Sequence, residues 1–193
     1  SYLGAYSLIL ETQSLGSIRL SAIQATATSG TVGNAAVASA QPGQAITPRG
    51  LGLVAADRVV FTVVDANGNI DQLAVVPTSV DVAAQTITVT VPDAAATGRV
   101  RLERDRPGLL LQIVPTLSDV QMNPNQGFAG GTLTLSGSGF AEGASAVLFG
   151  SQRVDDASRN QGLNISNNAM SLQVPSSLPT GPIRVSTVGG TSA

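Results

Sequence analysis

Apolar and polar positions alternate along most of this chain. Thr86-Ile87-Thr88-Val89-Thr90-Val91 places Ile87, Val89 and Val91 on one face and the threonines on the other, the pattern of a half-buried strand. The same period of two runs through Gly131-Thr132-Leu133-Thr134-Leu135-Ser136, Arg99-Val100-Arg101-Leu102-Glu103 and Pro182-Ile183-Arg184-Val185-Ser186. Helical periodicity is scarce. Pro77, Pro92, Pro115, Pro124, Pro175 and Pro179 punctuate the runs, since proline cannot donate to a central ladder. Short strands separated by frequent turn signals predict a sandwich or barrel.

The clearest hairpin is the apolar run 59–64, then Asp65-Ala66-Asn67-Gly68-Asn69, then Ile70 to Val76. Asn-Gly between two apolar runs favours a tight turn, because both residues tolerate positive φ.

The chain also repeats itself. Ile46-Thr47-Pro48-Arg49-Gly50-Leu51-Gly52-Leu53 aligns with Leu133-Thr134-Leu135-Ser136-Gly137-Ser138-Gly139-Phe140 at an offset of 87. Val59-Val60-Phe61 aligns with Val147-Leu148-Phe149 at 88, and Thr88-Val89-Thr90-Val91-Pro92 with Ser171-Leu172-Gln173-Val174-Pro175 at 83. Thr97 to Leu102 aligns with Thr180 to Val185, also at 83. Four matches in one order predict two modules, 37–113 and 114–193, each of about 80 residues. The boundary at Val114-Pro115-Thr116 is short, so the modules are expected end to end with limited freedom, bridged by Val114 and Pro115. Residues 1–36 stand outside the repeat. They read as the tail of a preceding domain or as strands added to the first module, with strands expected at 7–10 and 17–23.

The second module resembles the IPT/TIG family of immunoglobulin-like domains, in the form common in bacterial exported proteins. The resemblance rests on Pro115-Thr116-Leu117-Ser118-Asp119-Val120, a Pro124…Gly127 turn, and Ala129-Gly130-Gly131 leading into the run that ends at Phe140. It continues in Val147-Leu148-Phe149-Gly150, Val174-Pro175 and Leu178-Pro179-Thr180-Gly181-Pro182. Residues 38–113 follow the pattern less closely. Pro48 stands where an apolar residue is usual, and Gly43-Gln44 replaces the double glycine. The resemblance implies an all-β fold of tandem immunoglobulin-like (IPT/TIG-type) β-sandwiches and no single activity. Gly137 and Gly139 suit a bend that lets Phe140 plug the core. The expected core holds Leu133, Leu135, Phe140, Leu148, Leu172, Val174, Ile183 and Val185.

Composition narrows the chemistry. The 193 residues include no Cys, His or Trp, and the ten basic residues are all Arg. A thiol nucleophile, a Ser-His-Asp triad, a lysine Schiff base and a His or Cys metal site are therefore excluded. Lysine-free modules cannot form Lys–Asn isopeptide cross-links. A net charge of −2 gives no basic surface to replace the counterions of nucleic acid, and no apolar run reaches the length of a spanning helix. Neither nucleic acid nor membrane insertion is expected. The start at Ser1-Tyr2-Leu3-Gly4, without a leader-like pattern, reads as a piece excised from a longer polypeptide.

Three constellations carry candidate chemistry. Asp65, Asn67, Asn69 and Asp71 alternate at i, i+2, i+4 and i+6, a spacing of oxygen donors that suits Ca²⁺. The competing reading is a polar hairpin tip, favoured by only two formal charges. Otherwise no cofactor is expected. Asp155-Asp156, with Ser158, Arg159 and Asn160 in the loop after Phe149, could be a metal-ligand or acid/base carboxylate pair. No second carboxylate nearby completes a catalytic pair, so a solvated loop is expected. Arg99, Arg101, Arg104 and Arg106 form a basic run offset by Glu103 and Asp105. Alternation puts Arg99, Arg101, Glu103 and Asp105 on one strand face, either an anionic-glycan or partner patch or a solvated surface with cross-strand pairing. The only tyrosines are Tyr2 and Tyr6, outside the repeat, so no aromatic sugar platform is expected in either module.

Taken together, these features predict no enzyme. They predict structural or adhesive spacer modules of a large bacterial cell-surface or secreted protein. The alternative is an accessory or ligand-binding module of an extracellular polysaccharide-active enzyme. Expected partners are neighbouring domains of the same polypeptide, with a surface protein or glycan ligand as a further candidate.

Overall fold

The computed structural model describes residues 18–122, 130–156, 163–177 and 179–193. The strand expected at 7–10, the turn at 124–127, Tyr2, Tyr6, Ser158, Arg159 and Asn160 lie outside them. Every regular element among the described residues is a β-strand.

The first half contains β1 (Arg19–Ala22), β2 (Thr31–Val32), β3 (Ser39–Ala40), β4 (Ala45–Ile46), β5 (Arg49–Leu51), β6 (Val59–Val64), β7 (Ile70–Val75), β8 (Ser79–Asp81), β9 (Thr86–Thr90), β10 (Gly98–Leu102) and β11 (Leu109–Ile113). One sheet has the order β1-β5-β9-β4, with β8 also paired to β9; the other has the order β3-β11-β10-β6-β7. Ile87 and Val89 from the first meet Phe61, Leu102 and Leu111 from the second in one core. The alternation of β9 does what its sequence predicts: Ile87, Val89 and Val91 are buried and the threonines face outward. Each such large apolar side chain contributes about 1.5–3 kcal/mol when fully buried.

The second half contains β12 (Thr116–Met122), β13 (Thr132–Ser138), β14 (Ala146–Phe149), β15 (Gln152–Asp155), β16 (Leu163–Ile165), β17 (Ala169–Gln173), β18 (Ile183–Thr187) and β19 (Gly190–Thr191). Its sheets are β12-β13-β17-β16 and β15-β14-β18-β19-β2, packed over a second core around Leu133, Leu135, Phe140, Phe149 and Met170. The fold is all-β, as the strand pattern predicts.

Positions aligned by the internal repeat are buried in both halves. Ile46 corresponds to Leu133, Leu53 to Phe140, Val59 to Val147, Phe61 to Phe149 and Val89 to Leu172. Gly137 shows why the bend before Phe140 needs glycine. A Cβ there would lie 1.9 Å from the Thr116 carbonyl oxygen, where no side chain fits.

One expectation is corrected. Leu148 is only half-buried, while Val147 and Phe149 fill the core; in a strand of period two these two positions face inward and Leu148 the other way. Residues 18–36 contribute strands to both halves. β1 pairs with β5, Arg19↔Leu51 and Leu20↔Gly50, and sends Leu20 into the first core. β2 pairs with β19 of the second half, Thr31↔Thr191 and Val32↔Gly190.

Candidate functional site

The β6–β7 hairpin holds the proposed cation ligands. Val64 pairs with Ile70, and Asp65 N–H donates to the Asn69 carbonyl at 3.0 Å. Gly68 N–H donates to the Asp65 carbonyl at 3.0 Å, and Gly68 takes φ of 75°. This is a three-residue loop ending in a left-handed glycine; Asn67 needs no positive φ. Asp65 organises it: Oδ1 accepts the N–H groups of Asn67 and Asn69, each at 2.8 Å, and Oδ2 accepts Asn69 Nδ2 at 2.9 Å. Asp71 lies on β7 opposite Val63, its Oδ1 accepting the Gln72 N–H at 2.7 Å. The structure thus joins Asp65, Asn67 and Asn69 in one turn and leaves Asp71 on the strand. Among the described residues, no three or more Asp or Glu side chains gather as metal ligands.

The arginine run is not one strand face. β10 ends at Leu102, and the following turn directs Asp105 inward, where Oδ2 accepts the Leu20 N–H at 3.2 Å. Arg101 Nη1 donates to the carbonyls of Leu102, Glu103 and Asp105, and Nη2 to Gln72 Oε1 at 2.7 Å. Arg99 Nη1 donates to the Pro107 and Gly108 carbonyls at 2.8 and 3.1 Å. These guanidinium groups hold a turn together. Arg104 bonds Asp57 at 2.6 Å, and Asp57 is buried.

The carboxylate pair is also reassigned. Asp155 ends β15, paired with exposed Arg153 at 2.6 Å. Asp156 is buried, not solvated. Its Oδ2 accepts the Gly143 N–H, while Oδ1 has no hydrogen-bond partner.

The most constrained region is where the halves meet. Val114 is fully buried and its N–H donates to the Ala40 carbonyl at 2.9 Å. Gly189 presses on the end of β11: a Cβ there would lie 2.1 Å from the Ile113 carbonyl oxygen and 2.3 Å from Thr97 Oγ1. Gly33 N–H donates to the Gly189 carbonyl at 3.1 Å. Buried Gln112 holds the chain that carries β2. Its Oε1 accepts the Asn34 N–H at 2.7 Å, and its Nε2 donates to the carbonyls of Asn34 and Val37 at 2.8 and 3.0 Å. Buried Gln41 does the same upstream, accepting from Thr28 Oγ1 at 2.5 Å and donating to Ser29 Oγ at 2.7 Å. Residues 25–37 therefore form a strap fixed to both halves. Sequence reasoning missed it, although one signal was present: Gln112 interrupts Leu109-Leu110-Leu111 and Ile113-Val114.

Two clefts flank the hairpin tip at this junction. One, of about 290 Å³, is lined by Val64, Ile70 and Ile113 from the first half and Ala141, Glu142 and Val188 from the second. The other, of about 530 Å³, is more polar and is lined by Ala66, Asp93, Ser138, Ser166, Asn167 and Asn168 among others.

Residues 115–193 match the family model of the IPT/TIG domain. This match spans the second half of the chain. The two antiparallel sheets and shared core of that half are the immunoglobulin-like sandwich that the resemblance implies. No curated protein sequence matches the chain. Among solved structures, it is similar to SGBP-B from a complex xyloglucan utilization locus in Bacteroides uniformis, at 18% identity and a TM-score of 0.34. The match covers 90% of this chain and 47% of that one, so this chain spans about half the length of that protein.

Proposed function

We propose that this chain is a non-catalytic structural or adhesive spacer, part of a large bacterial protein that is secreted or held at the cell surface. Residues 37–113 are read as a diverged second module of the IPT/TIG type. The observation that carries this reading is the strap, which completes the sheet of one half while bonded to the other. Such a junction transmits orientation along the chain. The side chains support the same reading. The sequence has no His, Cys or Lys, and Asp57, Asp65 and Asp105 all serve turns or loops as acceptors. No helix among the described residues is long and apolar enough to cross a membrane. Its partners are then the neighbouring domains of its own polypeptide, and a surface protein or glycan remains a candidate ligand.

Small-angle scattering tests the spacer. A rigid end-to-end particle, with one fixed angle between the halves, is the expected result. A profile that requires a broad distribution of angles would overturn it. The accessory-module alternative is tested by gel retardation against a panel of soluble polysaccharides. Phe61, Phe140 and Phe149 are all buried, so no ring among them is offered for sugar stacking, and no retardation is expected. Clear retardation would replace the spacer with the glycan-associated reading.

A further inference from the structure

Ile70 and Val188 are the two most exposed large apolar side chains among the described residues, at 77% and 75%. They come from different halves, yet both line the apolar junction cleft. Scattered exposed apolar residues need no explanation, but paired ones on a concave site mark a contact surface.

A second observation concerns the edge of the sheet that leads to this cleft. Among the described residues, β7 is the last strand of its sheet. Val64 N–H and the Thr62 carbonyl point towards Ala94 and Ala96, so Val63 and Phe61 face β7. Their partners Asp71 and Leu73 bond to β6, and the backbone groups of Ile70, Gln72 and Ala74 point outward; of these, the Gln72 N–H is held by Asp71 Oδ1. Free edges are usually blunted by lysine, proline or a bulge. β7 reads Ile-Asp-Gln-Leu-Ala-Val, with neither lysine nor proline and with Asp71 as its one charged residue.

Charge indicates the occupant. The two clefts together are lined by Glu142 and Asp93 and by no arginine. Arg101, which reaches β7 through Gln72, is also engaged with three carbonyls.

We propose that β7 and the junction cleft dock an extended, positively charged strand from a partner protein. It pairs with the outward backbone groups of β7 that are not already bonded, places an aliphatic side chain between Ile70 and Val188, and sets lysine or arginine against Glu142. Main-chain pairing supplies affinity and the cleft supplies selectivity. The junction is preformed, so little ordering cost opposes binding. This proposal stands apart from the spacer reading, since it needs only the cleft and the edge.

The test uses fluorescence anisotropy with two labelled heptapeptides, one alternating valine and lysine, the other valine and glutamate. The lysine peptide is expected to bind at least about tenfold more tightly, the equivalent of one favourable contact, and to weaken in high salt. Ile70→Ser combined with Val188→Ser should weaken it about tenfold again. Both side chains are exposed, so melting should be unchanged. Ala74→Pro removes an outward N–H and leaves the β6 ladder intact, and should abolish binding. Equal affinity for both peptides, no binding, or indifference to these substitutions would overturn the proposal. So would sedimentation showing that the chain pairs with itself and that Ile70→Ser abolishes this pairing, because the strip would then belong to a second copy.

Discussion

The side-chain amide of Gln112 grips the backbone of Asn34 on both sides of its Cα, with Oε1 accepting the Asn34 N–H at 2.7 Å and Nε2 donating to the Asn34 carbonyl at 2.8 Å. The two residues are 78 positions apart, so the pair joins the strap to the strand that enters the second half. Gln112→Leu keeps the volume and removes three hydrogen bonds. Buried partners left without bonds cost about 1–3 kcal/mol each; solvent reaches the strap, so we expect a total loss of about 2–4 kcal/mol. Calorimetry checks this directly. The native chain should melt in one transition, and the variant in two, as the halves uncouple.

Gly189→Ala is expected to be more disruptive than any change at Pro115. A Cβ at Gly189 meets the Ile113 carbonyl at 2.1 Å, and backbone cannot yield as a flexible side chain does. The halves must part or the β18–β19 turn must shift. Scattering should show a changed angle and a fall in melting midpoint of several degrees. Pro115→Gly leaves Val114, the strap and Gly189 in place, so its profile should match the native one. A loosened angle in that variant would mean that the short connection, not the strap, sets the geometry.

Buried Asp57 offers a sharper test of local design. Oδ2 accepts the Val54 N–H at 2.8 Å and Oδ1 takes Arg104 at 2.6 Å. Ser145 stands at the aligned position in the second half, where its hydroxyl bonds the Ala141 N–H and carbonyl. Both residues close the turn before a central strand. Asp57→Ala should cost about 2–3 kcal/mol, through the lost turn and an arginine left without its buried partner. Asp57→Ser should recover part of this in chemical denaturation, because a serine closes the equivalent turn. Equal losses for both would show that the arginine pair, not the turn, dominates.

How much of this was legible beforehand depends on the period of the pattern. Ile87, Val89 and Val91 could be placed inside because alternation fixes a face, and Phe140 because two glycines before it mark a bend. Leu148 was misplaced by one position, and in a strand one position exchanges the faces. The strap was illegible for a different reason. Residues 25–40 are small and carry no period, since their place is set by backbone pairing and by side chains distant in sequence, Gln112 and Gln41. The cation reading of 65–71 came from spacing alone, which is the same for a metal loop and for a carboxylate that closes its own turn.

That ambiguity can be resolved by measurement. Both oxygens of Asp65 already accept hydrogen bonds from its own hairpin, and a cation would have to displace donors or add to the far side. We therefore expect the same melting midpoint in EDTA and in millimolar Ca²⁺. A site filled at a hundredfold excess over its Kd would add about 2.7 kcal/mol and raise the midpoint by several degrees. Asp65→Ala separates the two roles. If the carboxylate serves only the turn, the variant loses about 1 kcal/mol, because the freed N–H groups are exposed and find water. The loss would then be identical with and without calcium. If instead calcium stabilises the native chain and Asp65→Ala removes that response, the hairpin tip is a metal loop. The junction it overhangs would then be stiffened by calcium as well as by the strap.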